Sequence, residues 1–398
     1  MKRFLALLVT LMMLLGLCSI AGAEGVTTIT FWHTYGDSET PVLNDVIIPM
    51  FEAANPDIKV DAVRQSGDFN QMLVAALGTG VVPDVARVDI TKTSAYAKLG
   101  GIVAMDGFAG FDALKDAVLA GPLSTNLWNG HYYGLPLNTN CKAAVINLEQ
   151  MKALGFDGAP ATMEEFIAAC KEKAPGEYKL NVSGFGDWDM YTYFWLFGGV
   201  LTDESFTKAG GYLDSAASVA AINAIKQMHD DGVFTIRDLD GTPDAWDGIN
   251  SQYAMFFEGP WFPFTDAIVP ALIPTVNGKT ASIVGGENIV IFSGSQKQDA
   301  AFKFAQFMLT EEVQLKLLEV GVIPTLKSCV DSDAVKNNPK WSVYMKQLES
   351  AQSRIPTPQA SAVEQLWTDA MTMIFVEGAD VQKTLTDTAA QIDAELAK

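Results

Sequence analysis

Nine consecutive residues, Asp187-Trp188-Asp189-Met190-Tyr191-Thr192-Tyr193-Phe194-Trp195, carry five aromatic rings among acids and polar groups, and Gly259-Pro260-Trp261 sets another indole just after a turn. Flat rings beside carboxylates suit the non-covalent grip on a sugar, whose apolar C–H face stacks on an aromatic plane while its hydroxyls meet polar groups at the rim. Trp261 is the first stacking candidate, followed by Trp188 and Trp32, with Tyr191 on the same run as Trp188. Tyr193, Phe194, Trp195 and Phe197 read instead as the core of a buried helix, where large apolar rings usually lie. Asp37, Asp68, Asp89, Asn138, Asp187, Glu287, Asn288 and Arg354 are the polar candidates. An acid accepts two hydroxyls at once, and charge-assisted bonds offset the burial of its charge. Arg87 offers either a contact to phosphate or carboxylate or, more simply, an ion pair with Asp89.

Covalent chemistry finds less support. The chain holds no Gly-x-Ser-x-Gly elbow, no His-Glu-x-x-His, no Walker loop and no complete Gly-x-Gly-x-x-Gly. Its three histidines, His33, His131 and His229, are scattered and read as hydrogen-bonding residues. Asp238-Leu239-Asp240-Gly241 with Asp244 and Asp247 has the wrong spacing for a calcium loop. No catalytic residue, metal ligand or cofactor is therefore expected. A secreted glycoside hydrolase stays open as an alternative, since it needs only two carboxyl groups about 5 to 10 Å apart. The formal charge of −20 repels nucleic acid and anionic lipid, and it disfavours a strongly anionic ligand.

These side chains need elements to hold them. Lys2 and Arg3, the apolar run Phe4 to Leu17 and the small residues Ala21-Gly22-Ala23 read as a signal peptide over 1–23. The run is too short for a membrane anchor, which takes about twenty apolar residues. Leu15-Gly16-Leu17-Cys18 is similar to a lipobox, although Leu17 stands where a small residue is expected, so the protein is read as periplasmic, or membrane-associated if lipidated at Cys18. Residues 24–398 exceed what one hydrophobic core usually covers, so two lobes are expected. Cys141, Cys170 and Cys329 are an odd set without C-x-x-C spacing, so at most one bridge can form.

From Thr28 onward, strands over 29–32, 58–63 and 84–88 alternate with helices over 41–54 and 68–77, a βαβαβ pattern that requires parallel pairing. Ligands meet such sheets at the carboxyl ends of strands, which draws attention to Trp32-His33-Thr34-Tyr35, to Gln65-Ser66-Gly67-Asp68 and to Arg87-Val88-Asp89. Thr162-Met163-Glu164-Glu165 has the spacing of a capping box and starts a helix, and helices follow over 214–230, 299–309 and 310–320, the last two opened by Asp299 and Thr310 caps. A final helical stretch over 369–398 breaks near Gly378.

Eight segments in order carry a resemblance: Ile29 to His33, Asn55 to Val60, Val82 to Val85, Trp128 to Pro136, Pro160 to Phe166, Ala254 to Trp261, Gly285 to Asn288, and Ala300 to Phe304 leading to Gly321 to Thr325. The chain resembles the maltose-binding-like extracellular solute-binding proteins of ABC transporters, in their carbohydrate-binding branch. It departs from that pattern at Met163, where a Trp is usual, and over 143–147, which lacks the common tyrosine before Asn147. The resemblance implies an α/β fold of two lobes, each a mixed, mostly parallel sheet flanked by helices. The chain would cross between lobes near Leu137 to Cys141, Ser282 to Gly286 and Ile323 to Lys327, leaving 24–138 plus 284–324 in one lobe and 139–283 plus 325–398 in the other. Parallel hinge segments restrict such lobes to one opening motion. It further implies a monomer that captures a carbohydrate, an oligosaccharide in this reading, and passes it to ABC permease subunits. Glycerol-3-phosphate or a polyamine remain alternative ligands, because this scaffold hosts many.

Overall fold

The computed structural model describes residues 25–398, so the leader, its cleavage motif and Cys18 lie outside the described residues. The strands that position the site are, in chain order, β1 (Thr27–His33), β2 (Ile58–Arg64), β3 (Val85–Asp89), β4 (Leu135–Cys141), β5 (Ala143–Asn147), β6 (Leu180–Val182), β7 (Phe234–Ile236), β8 (Met255–Glu258), β9 (Ile268–Ala271), β10 (Ser282–Ile291) and β11 (Ala351–Ser353). They form two separate sheets. The first runs β11-β10-β3-β1-β2, with β4 also paired to β10; the second runs β9-β5-β8-β6-β7.

In the first sheet β1 lies parallel to both β2 and β3, as the βαβαβ reading requires. Period-two alternation covers both faces of β1: Ile29 and Phe31 enter one core, while Trp32 packs with Leu73, Tyr96 and Phe292 on the other side. The connecting helix α1 (Phe69–Thr79) is capped by Asp68, whose Oδ1 accepts the Gln71 amide at 2.9 Å. In the second lobe the Thr162 capping box forms as the spacing predicts and opens α2 (Met163–Lys173). Next come α3 (Asp187–Leu196) and α4 (Ala216–Asp230). Tyr193 and Phe194 of α3 are buried beside Phe257 and Trp367, so that half of the aromatic run is core.

The chain then returns to the first lobe. Phe304 of α5 (Gln298–Met308) meets Phe31 and Phe51 edge-on, and α6 (Glu311–Glu319) joins the same core. The expected caps of these two helices are corrected: Lys297 occupies the cap position of α5, and the Thr310 hydroxyl donates back to the Phe307 carbonyl instead of capping α6. The C-terminal helices are α7 (Ala360–Phe375) and α8 (Val381–Leu396), separated around Gly378, and both pack on the second core. Cys141, Cys170 and Cys329 are buried free thiols.

The lobes meet where β4 and β10 run antiparallel, pairing Cys141 with Val284, Asn140 with Gly285 and Thr139 with Gly286. Thr139 also bridges to Ile323, and Ser282 to Val284 pair with β11. Several strands side by side thus form the joint, and Cys141, Ile323, Trp341 and Tyr344 pack beneath it. Two glycines make this approach feasible. A side chain at Gly285 would strike Asn140 Oδ1 at 2.1 Å and the Trp188 ring at 2.8 Å; one at Gly286, whose φ is 138°, would lie 2.4 Å from the Asn138 carbonyl. Gly286→Ala is therefore expected to lower stability by at least about 2 kcal/mol, combining backbone strain with a backbone clash. Urea unfolding of the variant checks this, and an unchanged midpoint would contradict it.

Candidate functional site

A cavity of about 550 Å³ opens between the lobes beside a second of about 330 Å³, and Asn140, Trp261 and Glu287 line both. Its floor is built by the strand ends of the first sheet. In the β3–β10 register Arg87 faces Ile289 and Asp89 faces Glu287, which puts Arg87, Asp89 and Glu287 on one face of the sheet. The Arg87 guanidinium lies 2.8 Å from Glu287 Oε2 and donates to Thr34 Oγ1 at 2.8 Å, and Asn138 Nδ2 donates to the same Glu287 oxygen at 2.6 Å. Burial alone would raise the Glu287 carboxyl and weaken the Arg87 charge. Arg87 and the Asn138 hydrogen bond draw the carboxyl only part of the way back, while Glu287 foremost among the neighbouring groups keeps the arginine above its ordinary value. At this distance, with Asn138 on the same oxygen, the pair is ionised at neutral pH.

Indoles form the opposite wall. Trp188 and Trp261 lie nearly parallel, 27° apart with centroids at 6.0 Å. Lys142 Nζ sits 5.1 Å and the Arg354 guanidinium 5.7 Å from the Trp188 ring centre, fixing that ring by cation–π contact. Trp246 adds a third indole at the mouth, with its N–H on Glu258.

At the inner end Arg354 joins the lobes, holding Asp89 of the first at 2.6 Å and reaching Asp187 of the second at 3.6 Å. Burial would raise the Asp89 carboxyl, but Arg354 and the Thr91 hydrogen bonds reverse this and keep it below the usual range. Beyond Arg354, Lys92 of the first lobe pairs with Glu364 of the second at 2.9 Å. Burial and the neighbouring Asp187 charge push Glu364 up to about 7. Asp187 Oδ2 is buried without a hydrogen-bond donor among the described residues, with the Arg354 guanidinium 3.6 Å away.

Of the side chains anticipated from sequence, Asp37, Asp89, Asn138, Trp188, Trp261, Glu287 and Arg354 line the paired cavities, and Asp187 the small recess behind Arg354. The others require correction. Trp32 packs into the core on the far side of the first sheet. His33 and Tyr35 have no exposed surface; they lie under the floor, with the Tyr35 ring 4.4 Å from the Arg87 guanidinium, and burial lowers His33 to about 4. Ser66 and Asp68 are exposed on the loop leading into α1, away from the cavity lining, and Asp68 is spent as a cap. Tyr191 is buried against Trp367. Asn288 is buried too, its amide donating to Thr93 and Thr125 and its carbonyl accepting from Asn126, because strand alternation puts it on the face opposite Glu287, beside Val88. Arg87 pairs with Glu287 instead of Asp89.

Asn140, Trp246, Lys142 and Glu364 were missed. A signal existed for the first: Asn138 and Asn140 alternate within an otherwise apolar strand, the period that places both on one face. Glu364 and Trp246 carry no local mark, since only the tertiary fold brings them to the cleft.

Three comparisons bear on this geometry. The family model described as bacterial extracellular solute-binding protein matches residues 47–343. The chain is 22% identical to the maltotriose-binding protein of Pyrococcus abyssi, over 85% of this chain and 75% of that one. It is 24% identical to the sn-glycerol-3-phosphate-binding periplasmic protein of Escherichia coli, over 80% and 78%. The crystal structure of the GacH receptor of Streptomyces glaucescens, studied unliganded and with acarbose, superposes with a TM-score of 0.84 at 23% identity, covering 94% of this chain and 99% of that one. That likeness establishes the two-lobed fold.

Glu364 generates a pH prediction. Its carboxyl is raised above its unfolded value, so its stabilising contribution is complete below about pH 4.5 and is lost as pH rises through about 7. Lys92, Ser361, Asp187 and Arg354 are the polar groups facing it. The melting temperature of Glu364→Gln relative to the unmodified protein should therefore climb between pH 5 and pH 8. A difference that stays flat over that range would contradict the assignment.

Proposed function

This chain belongs to the bacterial extracellular solute-binding proteins, and from that premise we propose that it is the substrate-binding component of an ABC importer, capturing a carbohydrate between two lobes and delivering it to permease subunits. The observation that carries the reading is the facing arrangement of a polar floor, Arg87, Asn138 and Glu287, and an indole wall, Trp188 and Trp261, contributed by different lobes. Sugar rings need both surfaces at once. A ligand that touches both gains contact energy only in the closed form, so its differential affinity shifts the lobes toward closure. The acarbose complex of the GacH receptor and the maltotriose-binding relative support an oligosaccharide as the ligand class.

The lobe division we adopt is 24–138 plus 284–324 and 139–283 plus 325–398. It is supported by membership of the two main cores: Ile29 to Leu137 and Ile289 to Val322 in one, Ala144 to Ile283 and Ile355 to Ile392 in the other. The exception is that Leu326 and Cys329 also pack in the first core, which moves the last boundary beyond residue 329. We read the protein as an exported monomer without catalytic activity. A glycosidase would need one carboxyl free to give a proton beside the ligand. In this cleft Glu287 is committed to Arg87 and Asn138, Asp89 to Arg354 and Thr91, Asp37 to Arg64, and Glu39 to the Gly36 amide. Among the described residues no helix is long and apolar enough to cross a membrane.

A thermal-shift screen over mono- and oligosaccharides tests the reading, because a ligand that binds only the folded state raises the melting temperature with its concentration. At least one neutral oligosaccharide should give a shift and be recovered uncleaved. Trp261→Ala should abolish that shift while leaving the unliganded melting temperature within about 2 °C, as expected for a half-exposed side chain. Normal binding by the variant would remove Trp261 from the site.

A further inference from the structure

We propose that the cleft selects ligands rich in hydroxyl groups and free of anionic groups, and that Glu287 is the residue that sets this selection, by occupying the guanidinium of Arg87 that a phosphate or carboxylate would otherwise engage. The inference rests on the reading of the paired cavities as the ligand site. Four basic side chains at or beside that site each hold a carboxylate, while Lys340 behind Trp261 is turned onto the Pro260 carbonyl. Arg87 has Glu287 at 2.8 Å, Arg354 has Asp89 at 2.6 Å, Lys92 has Glu364 at 2.9 Å, and Lys142 has Asp189 at 3.5 Å. A bound anion would have to displace one of these partners, or lie against it with like charges a few ångströms apart in a partly desolvated space.

The remaining polar groups favour a donor-rich ligand. Asn138 Oδ1 and Asn140 Oδ1 are buried acceptors without a donor among the described residues, and both side chains line the cavity. Asp37 and Glu39 add carboxylates to the same lining; Asp37 pairs outward with Arg64, and Glu39 accepts the Gly36 amide. Among the buried atoms at the site, the donors without a partner among the described residues are Nε of Arg87 and Nε of Arg354. A sugar hydroxyl both donates and accepts, and so suits a lining that mixes asparagine amides with guanidinium groups. A phosphate group brings negative charge and mostly acceptors, so it meets the carboxylates that already hold each cation. The floor is thus polar, hydrogen-bonding and electrically closed, which separates sugar recognition from phosphate-ester recognition on the same fold.

The test is calorimetric titration of the mature protein with inorganic phosphate, with glycerol 3-phosphate and with neutral maltooligosaccharides, repeated on Glu287→Gln and on the double variant Arg87→Gln/Glu287→Gln. The unmodified protein should bind neither anion at millimolar concentration, and Glu287→Gln should gain affinity for glycerol 3-phosphate by roughly tenfold or more, which the double variant loses again. Millimolar or tighter binding of either anion by the unmodified protein overturns the proposal, and that arm needs no variant to fold. A folded Glu287→Gln that gains no anion affinity also overturns it. If every neutral sugar fails while Glu287→Gln acquires glycerol 3-phosphate binding, the masking of Arg87 stands and the carbohydrate reading falls.

Discussion

A guanidinium left at 5% exposure needs a counter-charge, and in this protein Glu287 supplies it from the neighbouring strand. Removing one partner of such a buried pair typically costs about 3 to 5 kcal/mol, so β3 and β10 are held in the register that brings these two side chains together. That register has consequences beyond stability. It places Asp89 and Glu287 opposite each other at the mouth of the sheet, sets Asn138 of the crossing strand onto the Glu287 carboxylate, and by alternation turns Asn288 to the other face. The cleft floor is what this pairing leaves exposed.

The joint between the lobes carries the same economy of parts. β10 is a floor strand at its C-terminal half and a hinge strand at its N-terminal half, where it runs beside β4 and β11. Residues 285 and 286 are glycines because the Trp188 ring and the β4 backbone already occupy the space a side chain would need. Ion pairs then span the lobes next to the joint: Arg354 with Asp89 and Asp187, Lys92 with Glu364. A ligand entering the cleft meets surfaces whose spacing is set by one set of strands and whose closure is biased by a few charges.

Much of this was legible before any coordinates. The alternation of short β-rich runs with amphipathic helices fixed the parallel start of the first sheet, and Thr162 with Glu165 marked the second lobe by a local rule that tertiary context did not disturb. Trp188 and Trp261 stood out because turn and acidic neighbours are poor company for a core indole. The misplaced strand residues share one cause: side-chain direction. His33, Tyr35 and Asn288 lie within a residue or two of groups that face the cleft, and a shift of one position along a strand exchanges cavity for core. Trp32 fell to the far side by that same alternation. Glu364 and Trp246 reach the site from distant helices, and nothing in their immediate neighbours foretells it.

The account depends on ligand being held between two lobes that move. Small-angle X-ray scattering of the mature protein, with and without a saturating oligosaccharide whose binding has been measured independently, addresses this directly. A radius of gyration that falls on saturation is the predicted result. Scattering that stays the same while the sugar is demonstrably bound would contradict the claim that the ligand bridges both walls.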